Sequence, residues 1–278
     1  MKKILLTGAA GTLGSVLRPH LDSIATTRRL SDIVDIANIG HDEEVMKCEL
    51  GDLAAVQAAV ASCDGIIHLG GIPIEDTFDN ILDANVVGTY NVYEAARRAG
   101  VQRIFLASSN HAIGYHRTDT PLDAESPFQP DSLYGASKVW GEAIADLYFN
   151  KFGIETAKVR IGSVLPEPNT TRSLKTWFSH SDFVRLVQRV FTAPELGCPV
   201  IYGVSDNTGA WWDNSNVGHL GWKPEDNADA FRGKFPDADL PPDMNDPEQK
   251  YQGGTFAAAG HFEDDESKSN EESENTTC

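Results

Sequence analysis

Basic residues are scarce in this chain of 278 residues: 23 lysines and arginines stand against 41 aspartates and glutamates, a formal net charge of −18. Nucleic acids and anionic membranes are bound through surplus positive charge, so neither is expected as a partner. A small anionic substrate stays open, because a few local arginines decide that. Cysteine is scarce too. Cys48, Cys63, Cys198 and Cys278 form neither a C-x-x-C pair nor a metal-site rhythm, which predicts reduced, unpaired thiols and no metal. No apolar run approaches the roughly 20 residues that cross a bilayer. The start, Met1-Lys2-Lys3-Ile4-Leu5-Leu6, breaks at Gly8 before an export core could form, so it reads as a first strand and the protein as cytoplasmic. The Asn169 and Asn275 sequons are then chance matches.

What the chain does have is alternation. Hydrophobic residues make up 41% of it, ample for a core. Short apolar strands are expected at residues 3–7, 25–32, 44–49, 65–69, 103–107 and 156–161. Helices are expected at 13–21, 53–61 and 81–99, the last closed by Gly100, and another carries Tyr134. Strands alternating with helices predict an α/β architecture, a Rossmann-type doubly wound parallel sheet that binds its ligand at the carboxyl ends of its strands. After Gly162 the regularity fades, and only 182–191 and 228–235 look helical. The expected organisation is a dinucleotide-binding domain over 1–165 and a small C-terminal substrate-side lobe over 166–262. An acidic tail at 263–278, with seven acids against one lysine, is expected to be disordered.

The first strand runs into Gly8-Ala9-Ala10-Gly11-Thr12-Leu13-Gly14. Glycines between a strand and a helix allow a tight turn and close approach to a pyrophosphate, and the helix start adds unpaired N–H groups. Gly8, Gly11, Thr12, Leu13 and Gly14 are therefore candidate cofactor residues. Asp32 ends the second strand eighteen residues after Gly14, near the spacing at which an acid grips the adenosine ribose. A carboxylate there repels a 2′-phosphate, which favours NAD over NADP. Arg28 and Arg29 argue the other way but lie earlier in the strand.

Tyr134 and Lys138 stand four residues apart, on one face of a helix. A nearby cation favours the phenolate, so the pair is a candidate proton acceptor for an alcohol. Alone, Y-x-x-x-K is more often an ordinary helix surface.

The glycine run, Asn85, Ser108-Ser109 and Tyr134/Lys138 together resemble, in order and spacing over residues 1 to about 165, the extended short-chain dehydrogenase/reductase family, also known as the NAD-dependent epimerases/dehydratases. The resemblance implies that Ser109 holds a substrate hydroxyl, although the spacing allows Ser108 as well. It implies that Tyr134 takes the proton, that Lys138 bonds the nicotinamide ribose and lowers the tyrosine pKa, and that Asn85 sustains a water-linked proton path. Glu49, Leu50, Leu69, Gly70 and Gly71 are the further cofactor contacts it implies.

A narrower likeness reaches to about Phe262. Ala107-Ser108-Ser109-Asn110-His111, Arg160-Ile161-Gly162-Ser163, Pro166-Glu167-Pro168-Asn169 with Arg172, Trp177-Phe178-Ser179-His180 and Gly253-Gly254-Thr255-Phe256 are similar to segments of the bacterial uronate dehydrogenases. That implies NAD-dependent oxidation of galacturonate or glucuronate at C1 to an aldarolactone, by a homo-oligomer. It also implies a substrate site of Ser109, Asn110, His111, Ser163, Arg172 and Phe256. Arg172 is the candidate for the C6 carboxylate, which its planar fork can bind at two oxygens. Two departures stand out: Pro73 where the family often has a serine near the sugar, and Glu49 in place of an aspartate near the adenine. The rival readings are a hexose or hexose-phosphate dehydrogenase, with Lys175 beside Arg172 as the phosphate partner, a sugar-nucleotide epimerase of the same fold, and a non-catalytic dinucleotide sensor.

Overall fold

The computed structural model describes residues 1–261; the expected disordered tail at 263–278, with Cys278, lies outside the described residues, and so does Phe262. Strand β1 (Lys3–Thr7) sits mid-sheet, and Ile4, Leu5 and Leu6 are completely buried in it. Successive side chains of a strand point to opposite faces. Ile4 and Leu6 accordingly join one core with Phe105, Val159 and Phe183, while Leu5 joins a second core with Ile66, Tyr93 and Ile144. Two cores, one per face, are what a parallel sheet between helical layers requires.

The remaining strands are β2 (Thr27–Asp32), β3 (Glu43–Lys47), β4 (Gly65–His68), β5 (Arg103–Ser109), β6 (Glu155–Ile161), the two-residue pair β7 (Ser163–Val164) and β8 (Trp177–Phe178), and β9 (Val200–Gly203). The main sheet runs β3-β2-β1-β4-β5-β6-β9 and all its pairings are parallel. Strand order reverses between β1 and β4, and the carboxyl ends flanking that point carry the candidate cofactor residues. β9 was not expected. It comes from the irregular stretch after Gly162, and its four residues between Pro199 and a turn are too few to show a period.

The expected helix 13–21 is α1 (Thr12–Leu17) followed by a tighter turn over Arg18–Ser23, since Pro19 has no N–H to continue the α ladder. Next is α2 (Leu53–Val60). The expected helix 81–99 is interrupted. It splits into α3 (Phe78–Ile81), a π-helical turn over Leu82–Val87 and α4 (Gly88–Ala99), which Gly100 closes at φ 76°. A one-turn π segment inside a helix is common at functional sites, and this one holds Asn85. Helix α5 (Leu133–Phe152) begins at Ser132, whose hydroxyl accepts from the Gly135 N–H at 2.9 Å.

The later part contributes α6 (Ser173–Thr176), α7 (His180–Thr192), α8 (Pro247–Lys250) and α9 (Thr255–Ala258), with a 3-10 turn over Ala228–Lys234 where a helix to 235 was expected. Bridges Arg117↔Tyr251 and Leu122↔Trp212 tie these segments to the loop that follows β5. That tie brings residues 252–256 over the carboxyl end of the sheet.

Candidate active site

At the cofactor end the backbone conformation demands glycine. Gly8 has φ +69°, and a Cβ there would lie 2.8 Å from the Gly70 nitrogen; one on Gly14 would lie 2.3 Å from the Gly8 oxygen. Thr7 Oγ1 accepts from the Gly70 N–H at 3.0 Å and shares a 2.8 Å hydrogen bond with His68 Nδ1. This closes β1 onto β4 and places Leu69, Gly70 and Gly71 beside the glycine turn. Burial holds the His68 imidazole neutral, its pKa pushed down to about 3. Asp32 reaches back over the same turn, accepting from the Ala10 N–H at 2.9 Å. Leu50 packs against Gly70, whereas Glu49 is exposed just past β3.

The two competing arginines are accounted for. Arg29 pairs with Glu44 at 2.7 Å and donates to the Ala59 and Ala61 carbonyls at the end of α2. Arg28 faces Asp42 at 4.0 Å and lies four residues, roughly 13 Å of strand, from Asp32. A glycine cradle, a helix start and an unopposed Asp32 fit a dinucleotide.

At the reactive end, the two serines of β5 point to opposite faces. Ser108 donates to Glu142 at 2.6 Å, within a buried ion pair between Glu142 and Arg160 at 2.9 Å. Ser109 faces the other way, accepts from the His111 N–H at 3.2 Å and favours the ionised form of the nearby Tyr134 phenol. Ser108 thus has a charged partner of its own, while Ser109 is on the Tyr134 side. The Lys138 ammonium donates to the Ala107 carbonyl at 3.0 Å and lies 5.3 Å from the Tyr134 ring centroid. Its pKa is lowered to about 8 by burial.

The expectation that Lys138 lowers the Tyr134 pKa is not met in this arrangement. Burial pushes the phenol up to about 12, against the opposing Ser109 hydrogen bond, and the ammonium lies over the ring face rather than at the oxygen.

Asn85 is held on both sides of its amide. Its oxygen accepts from the Ile72 N–H at 2.8 Å, and its nitrogen donates to the Ile72 carbonyl and Ser137 Oγ, each at 3.0 Å. A cavity of about 10 Å³ lies between His68, Asn85, Ser108, Ser137 and Lys138, room for about one water.

Asn110, His111, Arg172 and Phe256 converge on the same end. With its nitrogen donating to the Ile161 carbonyl at 3.1 Å, the Asn110 amide oxygen accepts from Arg172 Nη2 at 3.1 Å. His111 stacks on Phe256 at 3.9 Å between centroids and meets the Tyr134 ring edge-on at 5.7 Å. Arg172 also donates to the Gln252 carbonyl, and among the described residues it forms no ion pair. Burial lowers its pKa to about 10, with Asp131 and Glu248 opposing. Ser163 is bonded to Thr176 Oγ1 at 2.9 Å and lines the same cavity as Arg172. Pro73 is exposed.

Sequence reasoning missed two carboxylates here. Asp131, its side chain fully buried, accepts from His111 Nδ1 at 2.8 Å, which fixes the orientation of the imidazole and turns Nε2 away from that carboxylate. Glu75, on the loop after β4, accepts from the Leu133 and Tyr134 N–H groups at 2.9 and 2.8 Å. No spacing links 75 to 133 or 111 to 131, so only a pattern across homologues could have signalled either. Glu75 fixes the turn that carries Tyr134. Glu75→Ala is expected to lower kcat about tenfold to a hundredfold with KM within twofold, and Glu75→Gln, which keeps one acceptor, to recover part. Steady-state kinetics check this; equal losses in both variants, or a loss confined to KM, would contradict it.

Residues 4–179 match the model of the NAD dependent epimerase/dehydratase family. Over 256 residues the chain is 55% identical to the uronate dehydrogenase of Agrobacterium fabrum, covering 92% of this chain and 97% of that protein. A solved glucuronic acid dehydrogenase from Chromohalobacter salexigens is 50% identical and superposes with a TM-score of 0.92 over 95% of this chain and 99% of that one. A mutant uronate dehydrogenase of Agrobacterium tumefaciens, complexed with NAD, is 53% identical, with a TM-score of 0.90 over 94% and 99% of the two chains.

Proposed function

Because the chain belongs to the NAD dependent epimerase/dehydratase family and, within it, to the uronate dehydrogenases, we propose that it oxidises a hexuronate, galacturonate or glucuronate, at C1 to the aldarolactone. It is an NAD-dependent oxidoreductase acting on a small molecule. Bound nicotinamide supplies the hydride acceptor, so no metal is needed. The glycine turn from Gly8 to Gly14, Asp32 and the Leu69-Gly70-Gly71 turn hold the dinucleotide, and Asp32 excludes a 2′-phosphate.

Tyr134 Oη removes the C1 hydroxyl proton while Ser109 holds that hydroxyl. Lys138 keeps two N–H groups beyond the one on Ala107, for the phenolate and a ribose hydroxyl. The proton leaves by way of Lys138 and the water-sized cavity it shares with Asn85 and Ser137. His111 Nε2 accepts from a second sugar hydroxyl, with Asp131 orienting the ring, and Phe256 backs the imidazole.

The observation that carries the substrate assignment is Arg172. A half-buried guanidinium bonded to a carbonyl and an amide, with no carboxylate paired to it among the described residues, is a cation in search of an anion. The C6 carboxylate of a uronate completes it. The experiment is NADH or NADPH formation from galacturonate, glucuronate, glucose, glucose 6-phosphate and UDP-glucose, each with NAD and NADP. Turnover confined to the two uronates, with NAD preferred at least about tenfold, is expected. Turnover confined to the phosphate or nucleotide sugar would overturn the reading.

The same reading takes in a cytoplasmic homo-oligomer. Three buried or half-buried free thiols, Cys48, Cys63 and Cys198, support the location. Exposed Tyr90 on α4 and exposed Trp140 and Leu147, a heptad apart on α5, support an interface between copies. Among the described residues no helix is long and apolar enough to cross a membrane.

A further inference from the structure

Beyond Arg172 the site opens into a cavity of about 960 Å³. That is the upper end of the roughly 300–1,000 Å³ that drug-sized ligands occupy, and a single sugar acid fills only part of it. The inner wall carries Ser163, Arg172 and Thr255. Through them the cavity adjoins the Tyr134 cluster, because Arg172 bonds Asn110 and Thr255 precedes the Phe256 ring stacked on His111.

The same cavity is lined by Trp211, Lys175, Asn169 and Gln249. Arg172 sits over the Trp211 ring at 5.9 Å, so indole and guanidinium share one wall. The Lys175 ammonium donates to the Thr208 carbonyl at 2.9 Å and, among the described residues, to no carboxylate; two of its three protons are left for a ligand. Asp237, Asp243 and Glu248, also in the lining, are acceptors suited to sugar hydroxyls. An aromatic plate with a cation and several acceptors matches a sugar ring that bears an acid group.

Pyranose geometry says what would reach this space. C1 and C4 lie on opposite sides of the ring, and C5, which bears the carboxylate, is next to C4. With C1 at Tyr134 and the carboxylate at Arg172, a substituent on O4 points away from Tyr134 and leaves past Arg172. We propose, on the uronate reading above, that the protein also oxidises the reducing-end unit of a 4-linked diuronide. Its second unit occupies the outer cavity, ring against Trp211 and carboxylate on Lys175. Only the C1–H and O1–H bonds of the reducing-end unit break. The hydride goes to NAD, the proton goes to Tyr134, and the glycosidic bond at O4 is untouched.

The test is NADH formation from galacturonate and from (1→4)-linked digalacturonate, with the wild-type protein and with Lys175→Ala, and mass analysis of the oxidised dimer. Expected is turnover of both substrates by the wild type. Lys175→Ala should raise KM for the dimer by about fivefold while kinetics with galacturonate, which also report an intact fold, stay unchanged. A wild type that oxidises galacturonate and leaves the dimer untouched overturns the proposal, as does a Lys175→Ala variant that handles the dimer as the wild type does. Turnover of neither substrate, nor of glucuronate run beside them, sinks the uronate reading itself, which separates the two failures.

Discussion

Replacing Tyr134 by phenylalanine is expected to cut kcat by roughly 10²- to 10⁴-fold, the range that a positioned proton acceptor contributes, while NAD affinity stays within about twofold. The ring itself is retained. Phenylalanine keeps the edge contact with His111 at 5.7 Å and leaves the backbone N–H on Glu75, so only the oxygen is lost. Titration of NAD binding by fluorescence checks the second half. Turnover within a few-fold of the wild type would remove Tyr134 from the chemistry.

The pH dependence follows from the same pair. In the protein as it stands the phenol is pushed up to about 12 and the ammonium down to about 8, both by burial. The first proton lost by the pair therefore leaves near pH 8. Phenolate with ammonium carries the same number of protons as phenol with amine, so the reactive form grows with that first loss, whichever group releases it. The logarithm of kcat/KM should rise with unit slope as pH climbs towards 8 and level off above it. A profile flat between pH 6 and 8 would contradict this assignment.

The parts of the molecule that were legible in the sequence are those whose physical signature is local. β1 into Gly8 and Gly14 is a strand, a tight turn and a helix start within twelve residues, and the structure needs glycine there because Cβ atoms would collide with backbone. Tyr134 and Lys138 share a helix face by spacing alone. The long helix expected at 81–99 begins three residues earlier, and its π turn at Leu82–Val87 left no trace in the apolar spacing. That Ser108 is bonded to Glu142, 34 positions away, could not be read from the two adjacent serines. Glu75, Asp131 and β9 depend on contacts between distant segments. The burial that pushes the tyrosine pKa up is a matter of packing between distant segments, which a four-residue spacing does not show.

Arg172 carries the second large effect, and its replacement separates substrate recognition from architecture. Its guanidinium is desolvated enough to bring its pKa to about 10, and its partners, Gln252 O and Asn110 Oδ1, are neutral. Asp131 and Glu248 stabilise it only at a distance. A carboxylate brought to it satisfies the remaining N–H groups and compensates the buried charge, which makes the pair worth more than one at the surface. Losing one partner of such a buried pair costs about 2–4 kcal/mol, or roughly 30- to 1,000-fold. Arg172→Met, of similar length and without the charge, is therefore expected to raise KM for galacturonate by that factor. Galactose, which has no carboxylate, should be turned over no worse than before, so the ratio of kcat/KM between the two sugars collapses. Arg172→Lys restores a charge without the planar fork and should recover only part. Arg172→Met also removes the donor to the Gln252 carbonyl and the Asn110 amide, so a melting temperature within a few degrees of the wild type would show that the Gln252 segment holds without it. A galacturonate-to-galactose ratio that stays high in Arg172→Met would instead make the arginine a strut between Asn110 and Gln252, and the recognition of the acid would have to be sought elsewhere in the site.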